Sequence, residues 1–275
     1  LESSVGLFID GVYRSRTGVG LSELGEVERI EVLRGPQGTL FGRNTIGGAV
    51  SVVTKKPGRE LGGAVELTTG RFGRIQAKGN IDLPLAEGIY SSFAGFIHKR
   101  DGYVKGLVPA APDLGDTDNL AGRFALRLEP SNDVTIDLAI DGSRTRENSA
   151  PNVAIAIDEN APAAAYWNAA YSGSPVCLDT ANPARLTNTS CFNSQWAAGP
   201  YRHGGTFSSI SSVFTNGNPK PYQSASDVNI WGLSGTVEWK LSDVVSFKSI
   251  SSYRKVTGFW TRDSDHSPAS IIQTN

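Results

Sequence analysis

No methionine occurs in the 275 residues, only two are cysteine and three histidine, and neither sign of charge is in excess, 26 basic side chains facing 27 acidic ones. The resulting net charge of -1 builds no field that would recruit nucleic acid or anionic lipid, so nucleic acid is not an expected partner. No run of about 18 apolar residues exists, which excludes a membrane-spanning helix. It does not exclude a membrane-spanning barrel, whose strands need only about 10 alternating residues each. A chain that starts at Leu1, with no Met and no basic-then-apolar leader, reads as a piece of a longer precursor. His98, His203 and His266 stand far apart, and none has another His or a Cys at metal-ligand spacing. No metal or cofactor is therefore expected. Cys177 and Cys191 lack the second pair that a zinc site needs; they either pair with each other in an oxidising compartment or remain two free thiols.

What is abundant is glycine, 31 residues or about 11% against a usual share of about 7%. Its residues are spread along the chain, nearly all singly, rather than packed into a linker, as turns and close backbone approaches require. Before Pro57 the chain consists of short apolar runs cut by Gly. Leu7-Phe8-Ile9, Asp10-Gly11 and Val12-Tyr13 form the strongest short hairpin signal. Val27 to Leu33 predicts a strand, Pro36 at a first helical position opens one short turn of helix through Phe41, and Ala49 to Thr54 predicts a strand covered on both faces. The first 57 residues thus read as a small α+β unit.

After Pro57 the period becomes two. Ile75, Ala77, Gly79, Ile81 and Leu83 alternate with polar residues, Phe124, Leu126 and Leu128 with Arg123, Ala125, Arg127 and Glu129, Ile136, Leu138 and Ile140 with Asp137, Ala139 and Asp141, and Trp231, Leu233, Val237 and Trp239 with Ser234, Thr236, Glu238 and Lys240. With weaker runs at 62–70, 89–100 and 244–257, about seven antiparallel strands are predicted. Short turns at 84–88, 130–133 and 242–243 alternate with a tight turn at 71–73, a medium loop at 102–118 and a long loop at 146–226, which is the connection pattern of outer-membrane barrels. Trp231 and Trp239 lie on one face at a spacing of about 26 Å along the strand. At a tilt of about 40° this projects to roughly 20 Å, near the ~25 Å apolar band with its aromatic girdles. The register places Ile75, Ile81, Phe124, Leu126, Ile136, Leu138, Trp231 and Trp239 toward lipid, and Lys78, Asp82, Arg123, Arg127, Asp137 and Glu238 inward.

The most specific signal is VERIEVLRGPQGTLFGRNTIGGAVSVVTKKP at 27–57, preceded by FIDGVYRSR at 8–16 and followed by RDGYVKG at 100–106. It resembles the plug domain and first barrel strands of TonB-dependent outer-membrane receptors, marked by a strand ending in Arg-Gly-Pro, a Leu-aromatic-Gly turn and a Gly-Gly strand ending in Thr-Lys-Lys-Pro. The resemblance implies an α+β plug segment followed by part of an antiparallel transmembrane β-barrel, unclosed within this chain. Residues 1–57 are then the C-terminal part of the plug, and 58–275 the N-terminal part of the barrel with an extracellular loop at 146–226. Gly35, Pro36, Gly42, Gly47 and Gly48 read as packing residues, and Arg34 as a plug arginine paired with barrel glutamates on strands outside this chain. Asp10, Tyr13, Arg14 and Arg16 correspond to the apex that the plug presents to ligand.

The implied function is ligand-gated, TonB-energised uptake of a scarce nutrient such as a ferric siderophore, in the outer membrane of a Gram-negative bacterium. The implied partners are the TonB energy-coupling complex, acting through a box N-terminal to Leu1, an extracellular small molecule such as a ferric chelate, and outer-membrane lipid. A non-energised porin or adhesin barrel is the alternative; it accounts for the strands but not for the plug motif. No enzyme is expected. Gly38 to Thr45 lacks the Gly-Lys-Ser/Thr ending of a phosphate loop, and Asp137 and Asp141 read as lying among exposed Thr and Ala rather than as a catalytic carboxylate cluster.

Overall fold

The computed structural model describes residues 4–14, 27–106, 112–148, 158, 161–170, 172–186, 188, 190–193, 202–203, 225–263 and 273–274. The chain divides into two packed units. One comprises Leu1–Lys99, Asp118–Thr145 and Val228–Thr257, the other Arg100–Thr117, Arg146–Asp227 and Gly258–Asn275.

The first unit begins with a four-stranded sheet in the order β2-β1-β4-β3. Strands β1 (Val5–Ile9) and β2 (Val12–Arg14) form a hairpin in which Ile9 pairs with Val12. Its two turn residues, Asp10 at φ 49° and Gly11 at φ 78°, both adopt the left-handed region that matches the twist of the flanking strands. Strand β4 (Gly48–Thr54) is central, parallel to β1 and antiparallel to β3 (Val27–Arg34). Because both its edges are paired, its side chains form the core: Val52 is fully buried against Leu7 and Ile9, with Val50 beside them. Gly48 is held at φ 146°, and a Cβ there would run into the carbonyl oxygen of Leu33. The β4–β3 ladder thus excludes any side chain at this position.

Helix α1 (Gly38–Phe41) starts two residues later than expected from Pro36. The physical reason lies in Gln37. Its N–H donates to the Thr45 carbonyl at 2.9 Å while its own carbonyl accepts from Leu40 and Phe41, at 3.2 and 2.9 Å. Gln37 is therefore the cap, and Pro36 belongs to the turn before it.

Seven long antiparallel strands follow: β5 (Gly62–Gly70), β6 (Arg74–Ala86), β7 (Ile89–Arg100), β9 (Thr117–Ser131), β10 (Val134–Asn148), β12 (Ala225–Lys240) and β13 (Ser246–Asp263). Strands β8 (Lys105–Gly106), β11 (Arg202–His203) and β14 (Gln273–Thr274) have two residues each. The large sheet runs β14-β13-β12-β10-β9-β7-β6-β5, with β5 and β14 at opposite edges, and among the described residues nothing joins those edges. The sheet is unclosed. Two of the short turns are tighter than the sequence suggests, because Pro84 and Pro130 lie inside β6 and β9, with Pro84 where the β6–β7 register shifts; the third, expected at 242–243, is longer and spans 241–245.

The register sorts the side chains. Leu126 pairs with Leu138 and Phe124 with Ile140, alternating with Arg127 opposite Asp137 and Arg123 opposite Asp141. Phe124, Leu126, Leu138, Ile140, Leu233 and Tyr253 line one shallow apolar hollow on one face of the sheet. Trp231 and Trp239 are 43% and 48% exposed, and Trp231 packs on Tyr253 with ring centroids 5.4 Å apart.

In the second unit, Arg100 Nη2 donates to the Gly115 carbonyl at 2.6 Å and its guanidinium stacks over Tyr103, while Lys105 pairs with Asp113. Asp116 accepts from the Asn148 N–H at 2.9 Å, and burial raises its carboxyl above the ordinary value. The long connection contains helix α2 (Pro162–Ala170) and two 3-10 turns at Pro175–Leu178 and Pro183–Leu186, and a disulfide joins Cys177 to Cys191. Buried Asn193 donates to the carbonyls of Arg185 and Asn188 at 2.7 and 2.9 Å, and the Asn168 side chain accepts from the Phe192 N–H at 2.7 Å. Among the described residues of this connection, buried polar groups with satisfied hydrogen bonds and the disulfide tie the turns to the helix.

Candidate functional site

The four-stranded sheet meets the polar face of the large sheet through one ionic network within the first unit. It starts at the hairpin turn. Asp10 accepts from the Thr54 N–H and hydroxyl at 2.9 and 2.7 Å, which orients its carboxylate from within the small sheet. The same carboxylate accepts from Arg123 Nη2 on β9 at 2.9 Å, and that nitrogen also reaches the Thr54 hydroxyl at 3.2 Å. Next to Arg123 on the wall is Asp141 of β10, 3.8 Å from Arg123 Nη1. Arg14 of β2 approaches Asp141 to 3.5 Å, and Arg254 of β13 donates to both its oxygens at 2.6 and 2.7 Å.

Arg254 reaches Asp141 across β12 because position 232 is glycine: a Cβ there would lie 2.9 Å from the guanidinium carbon. Three arginines thus surround two aspartates, leaving one net positive charge. Burial lowers the pKa of Arg14, and the nearby Asp141 charge opposes that shift.

The chain leaving β4 adds further pairs. Lys56 lies 3.1 Å from Asp137, which Arg127 also holds bidentately at 2.7 and 2.9 Å. Lys55 lies 3.6 Å from Asp82, and Arg59 2.8 Å from Glu129. Two small polar cavities of about 20 and 30 Å³ flank this segment, one bordered by Asp10, Lys56 and Asp137, the other by Lys55, Asn80 and Asp82. Each has room for a water or two. The arrangement can hold two elements in register through charge-assisted bonds that water can replace.

The residues singled out from sequence fall into three groups. Asp10 and Arg14 are committed to strand side chains, and Tyr13 packs on Phe8 at 5.5 Å and accepts from Asn44 Nδ2 at 3.0 Å. Arg16 lies outside the described residues. Gly35 and Gly42 take positive φ, 80° and 77°, at either side of α1, and Gly47 donates its N–H to the Ser4 carbonyl at 2.8 Å. Arg34 is exposed at the end of β3, and its carbonyl accepts from Gln37 Nε2 at 3.4 Å; among the described residues no carboxylate pairs with its guanidinium. Arg14 is an arginine of this segment that meets an acidic wall residue, Asp141, while the barrel glutamates expected opposite Arg34 belong to strands outside this chain.

Asp137 and Asp141 do not lie among exposed Thr and Ala. Asp141 is 7% exposed among Arg14, Arg123 and Arg254, and Asp137 is held by Arg127 and Lys56. A signal for this was present: the opposed charges Arg123/Asp141 and Arg127/Asp137 stand at nearly matching distances from the turn at 132–133, offset by the one residue that the register shift between Val134 and Ile136 takes up. Thr54 and Arg254 carried no such signal.

Residues 2–49 match the model of the TonB-dependent Receptor Plug Domain. The chain is similar to the pesticin receptor of Yersinia pestis, 33% identical over 128 residues, covering 46% of this chain and 19% of that protein. It is also similar to an iron-regulated outer membrane virulence protein of Vibrio cholerae, 45% identical over 49 residues, covering 18% of this chain and 8% of that protein. In fold it is similar to the ferric yersiniabactin uptake receptor of Yersinia pestis, with TM-score 0.65 and 21% identity over 95% of this chain and 33% of that one. The ferripyoverdine receptor of Pseudomonas aeruginosa gives TM-score 0.63 at 13% identity, over 96% and 29%. The chain spans about a fifth or less of these curated relatives and about a third of these solved receptors. A segment that matches the receptor plug domain, followed by strands that share the receptors' fold, makes this chain similar to the plug and first barrel strands of TonB-dependent outer-membrane receptors.

Proposed function

We propose that the chain belongs to a ligand-gated receptor, energised by TonB, that takes up a scarce nutrient of the ferric siderophore class. The observation that carries this reading is the plug segment held against a polar wall by exchangeable ion pairs, Asp10 to Arg123 and Lys56 to Asp137. A passive pore has no use for a separate element fastened in its lumen by bonds that water can replace. The relatives' names, a ferric yersiniabactin uptake receptor and a ferripyoverdine receptor among them, support a ferric chelate as ligand. In this reading residues 1–57 are plug, 58–275 barrel with an extracellular loop at 146–226, and Trp231 and Trp239 mark the two lipid interfaces. The coupling box that TonB engages precedes the plug segment. Ligand contact at Asp10, Tyr13, Arg14 and Arg16 then follows only after the hairpin leaves the wall, because Asp10 and Arg14 are engaged there.

The test is radioiron uptake from ferric yersiniabactin and from ferripyoverdine by cells expressing the full-length receptor, with and without TonB. Accumulation that requires both receptor and TonB supports the reading. Equal accumulation without TonB overturns energised transport in favour of a passive barrel, and no receptor-dependent accumulation from either chelate overturns the ferric-chelate assignment.

A further inference from the structure

We propose that Arg123 is the exchange point of the plug: it holds Asp10 while the hairpin is seated and passes to Asp141 when the hairpin leaves. This rests on the receptor reading above and adds how the seam opens. The argument comes from what each side keeps on separation. Asp10 takes two of its hydrogen bonds with it, since both come from Thr54 of the same small sheet, at 2.9 and 2.7 Å. Its hairpin neighbour Arg14 carries the opposite charge, so the departing segment is neutral in these two residues. On the wall, Arg123 loses one carboxylate but already has another at 3.8 Å.

That second carboxylate becomes more available at the same moment. Arg14, at 3.5 Å from Asp141, departs with the hairpin, while Arg254 keeps its hold at 2.6 and 2.7 Å. Closing the remaining 3.8 Å to hydrogen-bond length requires a shift of about 1 Å by a long side chain. The wall is then left as Arg123–Asp141–Arg254, two cations sharing one carboxylate, so that no ion is without a neighbour of opposite sign. A buried charge stripped of its partner is far costlier than a pair never made, so a substitute partner is what makes release reversible.

The neighbouring contact follows the same rule. When Lys56 leaves Asp137, Arg127 still holds that carboxylate through two bonds of 2.7 and 2.9 Å. The two small polar cavities along residues 54–56 admit water into the seam as the bonds change over.

The experiment follows hydrogen-deuterium exchange in peptides covering residues 5–14 and 48–54 of the purified full-length receptor. Asp10→Asn, which removes the seated partner, speeds exchange about tenfold, the ratio expected from losing a charge-assisted hydrogen bond. The decisive variant is Asp141→Asn in an Arg14→Gln background, where Asp141 no longer pairs with the hairpin. The exchange-point role predicts slower exchange than Arg14→Gln alone, by several-fold, because Arg123 has lost its destination. A plain anchor at Asp10–Arg123 predicts no change, and unchanged or faster exchange overturns the proposal.

If Asp141→Asn fails to assemble, a crystal structure of the Asp10→Asn receptor decides. Arg123 within about 3 Å of Asp141 supports the exchange, and Arg123 still directed at residue 10 overturns it. Neither measurement needs ligand or TonB. A failure here therefore leaves the uptake reading standing, whereas TonB-independent uptake would remove that reading without touching these exchange rates.

Discussion

Leu138→Arg tests which face of the large sheet meets lipid, and its cost follows from depth. Leu138 is 43% exposed in the apolar hollow beside Phe124, Leu126 and Leu233. A Cβ on Gly235 would lie 3.2 Å from its Cδ2, and Gly235 is midway along β12 between Trp231 and Trp239. If the two tryptophans mark the interfaces, Leu138 stands near the midplane. An arginine at that depth on the lipid face of a barrel costs about 2–4 kcal/mol, falling to about 0–1 kcal/mol near an interface. Leu241, two residues beyond Trp239, just past the end of β12 and 50% exposed, is the control. The assay is urea unfolding of the full-length receptor refolded into liposomes, with Leu138→Arg and Leu241→Arg compared to the parent. The expected gap between the variants, about 2 kcal/mol or more, is a large part of a typical net stability of about 5–15 kcal/mol. Equal losses in both variants, or a Leu138→Arg loss within about 0.5 kcal/mol, would refute the assignment of this face to lipid.

Replacing Cys177 and Cys191 together by Ser opens a loop of about 15 residues, with an expected loss near 3 kcal/mol; limited proteolysis of residues 158–193 should quicken, and parental cleavage rates would count against it. Gly48→Ala, forced into a strained conformation worth roughly 1–3 kcal/mol and into the Leu33 carbonyl, should speed hydrogen exchange across β4, and parental exchange there would contradict the steric argument. Asp137→Asn leaves Arg127 and Lys56 without their carboxylate and should lower the urea midpoint. Adding Arg127→Gln should restore part of the loss, because one fewer cation is then unpaired; a further drop in the double variant would argue against the shared carboxylate.

Local features were the most legible in the sequence. Asp10-Gly11 announced a hairpin because few dipeptides tolerate two left-handed residues in a row, and the alternation of Phe124, Leu126, Ile136 and Leu138 sorted the two faces because the strand period is two. The helix start was misplaced by two residues because Gln37 bonds across to Thr45, a contact that no local pattern encodes. The ionic network was half legible. Arg123 and Asp141 sit on the expected face of adjoining strands, but Asp10 meets Arg123 across 113 residues of chain. Arg254 passes over Gly232, where a Cβ would lie 2.9 Å from its guanidinium carbon, and that open path is a property of three strands at once. The family motif assigns Arg34 to barrel glutamates on strands outside this chain; that Arg14 meets the wall carboxylate Asp141 within the chain was not announced by any motif.

The parallel pairing of β1 with β4 has a mechanical consequence. Five residues of each strand are matched in register, Val5 with Gly48 through Ile9 with Val52. Tension entering ahead of Val5 and resisted beyond Thr54, where Lys55 and Lys56 bind the wall, pulls the two strands from opposite ends. The ladder is then loaded in shear, with its hydrogen bonds sharing the force instead of failing one after another as in a peeled hairpin. The small sheet should therefore yield last, and the ion pairs at its rim first. Under tension it would travel as a block, with the Asp10 turn carried along intact.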